Sequence, residues 1–132
     1  MRPTHLRTRA QFQALLGTST VARTTHFALH HIKVPAADAR EAEDARSALF
    51  SPTELVWVGA MTPKRWARRA VTRNAIRRQI YAVAEDLACP PGAYLVRLRS
   101  AFSPAQFPSA TSEALKRAVR AELHVLFRKR AA

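Results

Sequence analysis

The chain has a single cysteine, Cys89, in 132 residues. An internal disulfide and a thiolate zinc cluster are therefore both excluded. Acidic side chains are also scarce, with nine Asp and Glu against 22 Lys and Arg, for a formal net charge of +13. No stretch approaches the run of about 18 apolar residues that a membrane span needs. The opening Met1-Arg2-Pro3-Thr4-His5 lacks the apolar core of a secretory signal, so a cytoplasmic location is expected. Internal repeats are absent as well. With 48% hydrophobic residues the composition is that of a globular protein rather than a disordered basic tail. The length suits one domain, residues 1–132, with a core that needs neither disulfides nor a structural metal.

Positive charge on this scale repels itself and is tolerated when a polyanion neutralises it, nucleic acid being the commonest. An acidic membrane surface is the competing partner, but the basic charge is not gathered on one lipid-type amphipathic helix. The charge is concentrated in Lys64–Arg78, which holds Lys64, Arg65, Arg68, Arg69, Arg73, Arg77 and Arg78 and no acid. On a helical wheel Ile76, Ile80, Val83 and Leu87 form one apolar stripe. Arg73, Asn74, Arg77 and Arg78 lie along one flank of it, and Ala75, Gln79, Ala82 and Asp86 along the other, blander one. A merely solvated helix mixes both signs around its exposed surface; this one is patterned to hold a polyanion. Arginine pairs with phosphate in bidentate fashion and stacks on bases. If about six phosphates of single strands are neutralised, log affinity falls with a slope near −4 against log salt.

Coarse periodicity gives a helix over 6–16 and a strand over 27–34. His26, Ala28 and His30 lie on one face of that strand, Phe27 and Leu29 on the other, with His31 and Ile32 blurring the alternation. The 35–51 connection carries four of the nine acids (Asp38, Glu41, Glu43, Asp44) and two arginines, and reads as an exposed link between strands. The rest of the chain then carries 20 basic and 5 acidic residues, or +15. An apolar run over 55–61 reads as a buried strand, followed by the basic helix over about 68–88 and a stop at Pro90-Pro91-Gly92. A strand over 94–99, a Pro-containing loop, and a final helix capped by Thr111 or Ser112 complete the chain. The order implies an α+β fold with helices on a small sheet.

No constellation for protein catalysis emerges. Glu85 and Asp86 are neighbours on a helix and point about 100° apart, a poor chelating pair. His26 and His30 would stand about 13 Å apart on a strand face, too far to share a metal. Cys89 precedes two prolines and has no base near it in sequence.

Val58-Gly59-Ala60-Met61-Thr62-Pro63-Lys64-Arg65 followed by Arg69-Ala70-Val71-Thr72-Arg73-Asn74-Ala75-Ile76-Arg77-Arg78 resembles the strand and basic helix of the protein subunit of bacterial ribonuclease P. Phe12-Gln13, Phe27-Ala28-Leu29-His30 and Tyr94-Leu95-Val96 are similar to that family's first helix, first main strand and late strand. Ala75 and Tyr81 stand where the family commonly has arginine. The resemblance implies a four-stranded sheet flanked by helices, with a left-handed crossover at the basic helix. It further implies that an RNA subunit with bound Mg²⁺ cleaves the 5′ leader from precursor tRNA. RNA would be held by Lys64, Arg65, Arg68, Arg69, Arg73, Asn74, Arg77 and Arg78, and the leader by a cleft of Phe12, Leu16, Ala28 and His30. Unpaired nucleotides would stack on such a floor with little sequence preference. The rival readings are a ribosomal or other structural RNA-binding protein without a leader cleft, a DNA-binding module, and a free-standing nuclease.

Overall fold

A computed structural model describes residues 2–33, 48–50, 55–103 and 112–130. The elements in order are β1 (Thr4–His5), α1 (Arg9–Leu16), β2 (Thr20–Arg23), β3 (Phe27–Ile32), a 3₁₀ turn (Ala48–Phe50), β4 (Val56–Met61), α2 (Ala70–Asp86), β5 (Gly92–Leu98) and α3 (Glu113–Lys129). The strands form one sheet in the order β1-β4-β5-β3-β2. β1 and β5 run parallel to β4, while β3 is antiparallel to β5 and to β2. The expected α+β class holds, but the sheet has five strands rather than four. Both edge strands hide in sequence for local reasons. β1 is two residues long, and in β2 the larger apolar residue, Val21, is exposed while Ala22 is buried, so neither displays an apolar alternation.

The central strand β5 alternates between two cores. Tyr94, Val96 and Leu98 point to one face, where they join Phe27, Leu29, Val56 and Val58 beneath α2 and α3. From α2 come Ile76, Ile80 and Val83, and from α3 come Leu115, Val119, Leu123, Leu126 and Phe127. Ala93 and Leu95 point to the other face and meet Leu6, Leu15, Ile32, Phe50 and Trp57 beneath α1. β3 follows the same alternation through an unbroken register with β5 from Phe27 to Ile32. The His31–Ile32 irregularity in sequence is thus no bulge; both faces of the strand are covered, and His31 stacks flat on its cross-strand partner Tyr94 at 4.4 Å. The irregular step lies in β2, between Thr20 and Ala22.

Of the 35–51 connection, Ala48–Phe50 is described, and Phe50 departs from the exposed reading. It is fully buried, with its ring edge-on to Trp57 at 6.3 Å. The rest of that connection lies outside the described residues.

Caps fix the helix starts. Thr8 Oγ1 accepts from Gln11 N at 3.2 Å, and Gln11 Oε1 accepts from Arg7 N and Thr8 N at 2.7 and 3.1 Å, a reciprocal capping box. Gln11 Nε2 also donates to Leu49 O at 2.8 Å, which ties α1 to the 3₁₀ turn. Ser112 Oγ accepts from Leu115 N at the start of α3. At the far end of the sheet Glu122 of α3 gathers the β2–β3 turn, accepting from Thr24 Oγ1 at 2.6 Å and His26 N at 2.7 Å, with His26 Nδ1 at 2.7 Å from its other oxygen.

Gly59 sets how closely α1 approaches β4. A Cβ there would lie 2.4 Å from Leu6 Cδ1 and 3.0 Å from Phe12 Cε1. Gly59→Ala should therefore overpack this layer and cost about 1–3 kcal/mol, measured as a lower urea midpoint. Adding Leu6→Ala should return part of the loss, and strictly additive losses would contradict this origin of the strain.

Candidate nucleic-acid interface

α2 is amphipathic, and its apolar stripe decides where its arginines go. With Ile76, Ile80 and Val83 buried, Asn74, Arg77 and Arg78 are left exposed, as are Lys64, Arg65, Arg68 and Arg69 in the turn before the helix. Among the described residues the carboxylate contacts to basic side chains are Arg2–Glu85, His26–Glu122 and Lys116–Glu113; none draws on the Lys64–Arg78 cations. The N-terminus of α2 adds to this field. Arg69 makes no side-chain cap hydrogen bond and the first turn holds no acid, so neither offsets the partial positive end of the helix.

Arg73 has a different task from its neighbours. It is half-buried, and its Nη1 donates to Ala67 O at 3.0 Å and Arg68 O at 2.9 Å. It thereby fastens the β4–α2 turn to the helix. Arg77 Nη2 donates to Asn74 Oδ1, one turn back, so these two side chains are oriented together. Arg65 lies over the Trp66 ring, 5.5 Å from its centroid, and Trp66 packs against the core edge. The flank read as bland is in fact the seam with α3: Ala75 is buried, and Gln79 Oε1 accepts from Arg120 Nε at 3.1 Å.

On the opposite face of the sheet, α1 and the strands border the second candidate surface. Phe12 is partly buried over Gly59, and Leu16 is 39% exposed. Ala28 and His30 lie on the expected face but are 0% and 4% exposed, so neither offers a ring or methyl surface for stacking. They support the surface from beneath. His30 Nδ1 donates to Thr18 O at 3.0 Å, and Arg97 Nε approaches His30 Nε2 at 3.5 Å as donor. That pair of roles requires the neutral imidazole. Burial, with help from Arg97, holds the His30 pKa below its ordinary value against the opposing Thr18 carbonyl. Arg97, partly exposed on this face beside Ala28, was not singled out in sequence. Its only signal is its place two residues after Leu95 in a strand of alternating faces.

Among the described residues, no group of three or more His, Cys, Asp or Glu side chains is placed to hold a metal ion. Cys89 is buried, and burial raises its thiol pKa, the opposite of an activated nucleophile. No described helix is long and apolar enough to cross a membrane.

The geometry can be set beside known proteins. The family model described as Ribonuclease P matches residues 1–124. The ribonuclease P protein components of Bordetella parapertussis and Bordetella bronchiseptica are each 43% identical over 72 residues, covering 53% of this chain and 54% of theirs. The matched stretch thus spans about half the length of these curated relatives. The solved Staphylococcus aureus RNase P protein superposes with a TM-score of 0.64 at 15% identity, covering 94% of this chain and 92% of that one, which is a likeness of fold.

Two predictions separate the roles of these side chains. Arg73→Ala should lower stability by about 1–2 kcal/mol through its lost charge-assisted bonds, whereas Arg77→Ala and Arg78→Ala should leave the urea midpoint unchanged; equal midpoints for all three would refute the brace. The second concerns pH. His30 and His31 both have depressed pKa values, His31 through burial, Arg130 and Lys33. The unfolded chain therefore takes up protons near the ordinary 6.5 that the folded chain resists. Their contribution is complete above that pH and is lost as pH falls below it. Urea midpoints should drop from pH 7.5 to 5.5, and His31→Phe should flatten the drop; an unchanged profile in that variant would contradict the assignment.

Proposed function

Since the chain belongs to the ribonuclease P protein family, we propose that it is the protein subunit of a cytoplasmic ribonuclease P, which removes the 5′ leader from precursor tRNA. The observation that carries the reading is the row of exposed cations, without a partnering acid among the described residues, on and just before a helix whose other side is locked into the core. Lys64, Arg65, Arg68, Arg69, Arg77 and Arg78 contact phosphates of the catalytic RNA, and Asn74 adds an uncharged donor and acceptor. Arg73 braces the turn that presents them. On the other face, Phe12 and Leu16 supply the accessible apolar surface for the unpaired leader, Ala28 and His30 support it, and Arg97 supplies charge for its backbone.

Hydrolysis in this reading belongs to the RNA subunit, where bound Mg²⁺ would activate water and stabilise the developing charge on the scissile phosphate. The residues of this chain bind and orient. They hold the leader in register with the RNA active site and offset the repulsion between two polyanions, so less free Mg²⁺ is required. No described residue is assigned a proton transfer.

A 5′-labelled precursor tRNA at low Mg²⁺ tests this directly with the RNA of the same organism, this protein, or both. Correct 5′ maturation is expected only from the pair. Cleavage by the protein alone, or no stimulation despite tight RNA binding, would contradict the proposal, the latter favouring a purely structural RNA-binding role. In the holoenzyme, Phe12→Ala should weaken precursor tRNA binding by about tenfold and mature tRNA binding much less; equal losses would remove the leader role.

A further inference from the structure

A second basic feature lies beyond the helix that the sequence draws attention to. Where α2 and α3 pack side by side they leave an open cleft of about 230 Å³ lined by Val71, Asn74, Ala75, Arg78, Gln79 and Lys116. Val71, Ala75 and Gln79 recur at four-residue intervals along α2 and form one wall. Lys116 stands on the other, and Arg120, one turn further along α3, reaches across to Gln79. The bond across the seam runs from arginine to a neutral amide, and among the described residues no carboxylate pairs with the Arg120 guanidinium.

Among the described residues, no carboxylate lines the cleft. Glu113 meets Lys116 Nζ at 3.4 Å across a pair that is 77% exposed on the acid's side and 37% on the lysine's, a weak and readily exchanged interaction. Glu122, the other acid of α3, is committed to the β2–β3 turn. Val71, 46% exposed at the cleft, adds an apolar contact of the kind a ribose or base can cover. Arg78 belongs both to this cleft and to the exposed row on α2, so the two surfaces are continuous.

We propose that the α2–α3 cleft is a second RNA-backbone site, in which Arg78, Lys116 and Arg120 hold phosphodiester groups of the catalytic RNA. The footprint then extends from α2 onto the C-terminal helix. This rests on the RNA-binding reading above. The catalytic RNA is favoured over the leader because the cleft lies on the helix face of the sheet, away from α1.

Binding of the full-length protein to its ribonuclease P RNA, titrated across salt, provides the test. Lys116→Gln with Arg120→Gln should lose about tenfold or more in affinity and make the slope of log affinity against log salt shallower by about 1.4–1.8, the value for two phosphates. Arg2→Gln with Arg128→Gln removes the same charge away from the cleft and should change affinity by less than about threefold. If the cleft pair matches that control while Arg69→Gln with Arg77→Gln weakens binding, the cleft proposal falls and the main reading stands. If none of the three pairs matters, the RNA-binding reading falls with it. Lys116→Gln alone breaks only the surface pair with Glu113, and should still flatten the slope by about 0.7–0.9; an unchanged slope there would overturn the role of Lys116 even if the double variant is less stable.

Discussion

The burial of Ile76, Ile80 and Val83 against Val56, Val58, Tyr94 and Val96 is the contact on which the rest of this molecule depends. Each of those aliphatic side chains contributes roughly 1.5–3 kcal/mol by leaving water. Turning α2 by one residue, about 100°, would expose all three and drive Arg77 toward the core. The helix therefore has a single rotational setting, and that setting decides which cations face outward. Charge alone could attract RNA, but only this apolar lock gives the charge a direction. The brace from Arg73 to the carbonyls of Ala67 and Arg68 extends the same order into the turn ahead of the helix.

A sheet covered on both faces lets one small protein present two different surfaces. β5 supplies Tyr94, Val96 and Leu98 to one core and Ala93 and Leu95 to the other. The helix pair α2 and α3 occupies the first face, and α1 with the 3₁₀ turn occupies the second. Gly59 thins the second layer enough for Phe12 to sit directly on β4. Polar groups drawn into that layer are satisfied locally: Gln11 through its capping box and Leu49, His30 through Thr18 and Arg97. Neither group is left with an unmet bond that would favour opening the layer.

The long elements were legible because their patterns run over many residues. The 76/80/83 stripe, the run over 55–61 and the cap at Ser112 all fall where periodicity and capping chemistry place them. What escaped depended on partners distant in sequence. Thr4–His5 becomes a strand only because Trp57 and Val58 are beside it. Phe50 looks like part of an acidic connection until Trp57 is seen to cover it. Ala28 and His30 share the face that strand alternation predicts, yet their exposure is settled by what α1 and Arg97 place over them. Ala75 and Gln79 looked bland because a single helical wheel carries no information about the neighbouring helix. Arg73 resembles its arginine neighbours in sequence and differs from them only in the carbonyls within its reach.

In the proposed function, RNA meets an oriented face and not a diffuse cloud of positive charge. The most direct measurement is arginine modification with phenylglyoxal, read residue by residue by mass spectrometry, on the free protein and on its complex with ribonuclease P RNA. The prediction is protection of Arg68, Arg69, Arg77 and Arg78, with Arg2 and Arg128 reacting equally in both states. Uniform protection of all six, or protection confined to Arg2 and Arg128, would contradict it.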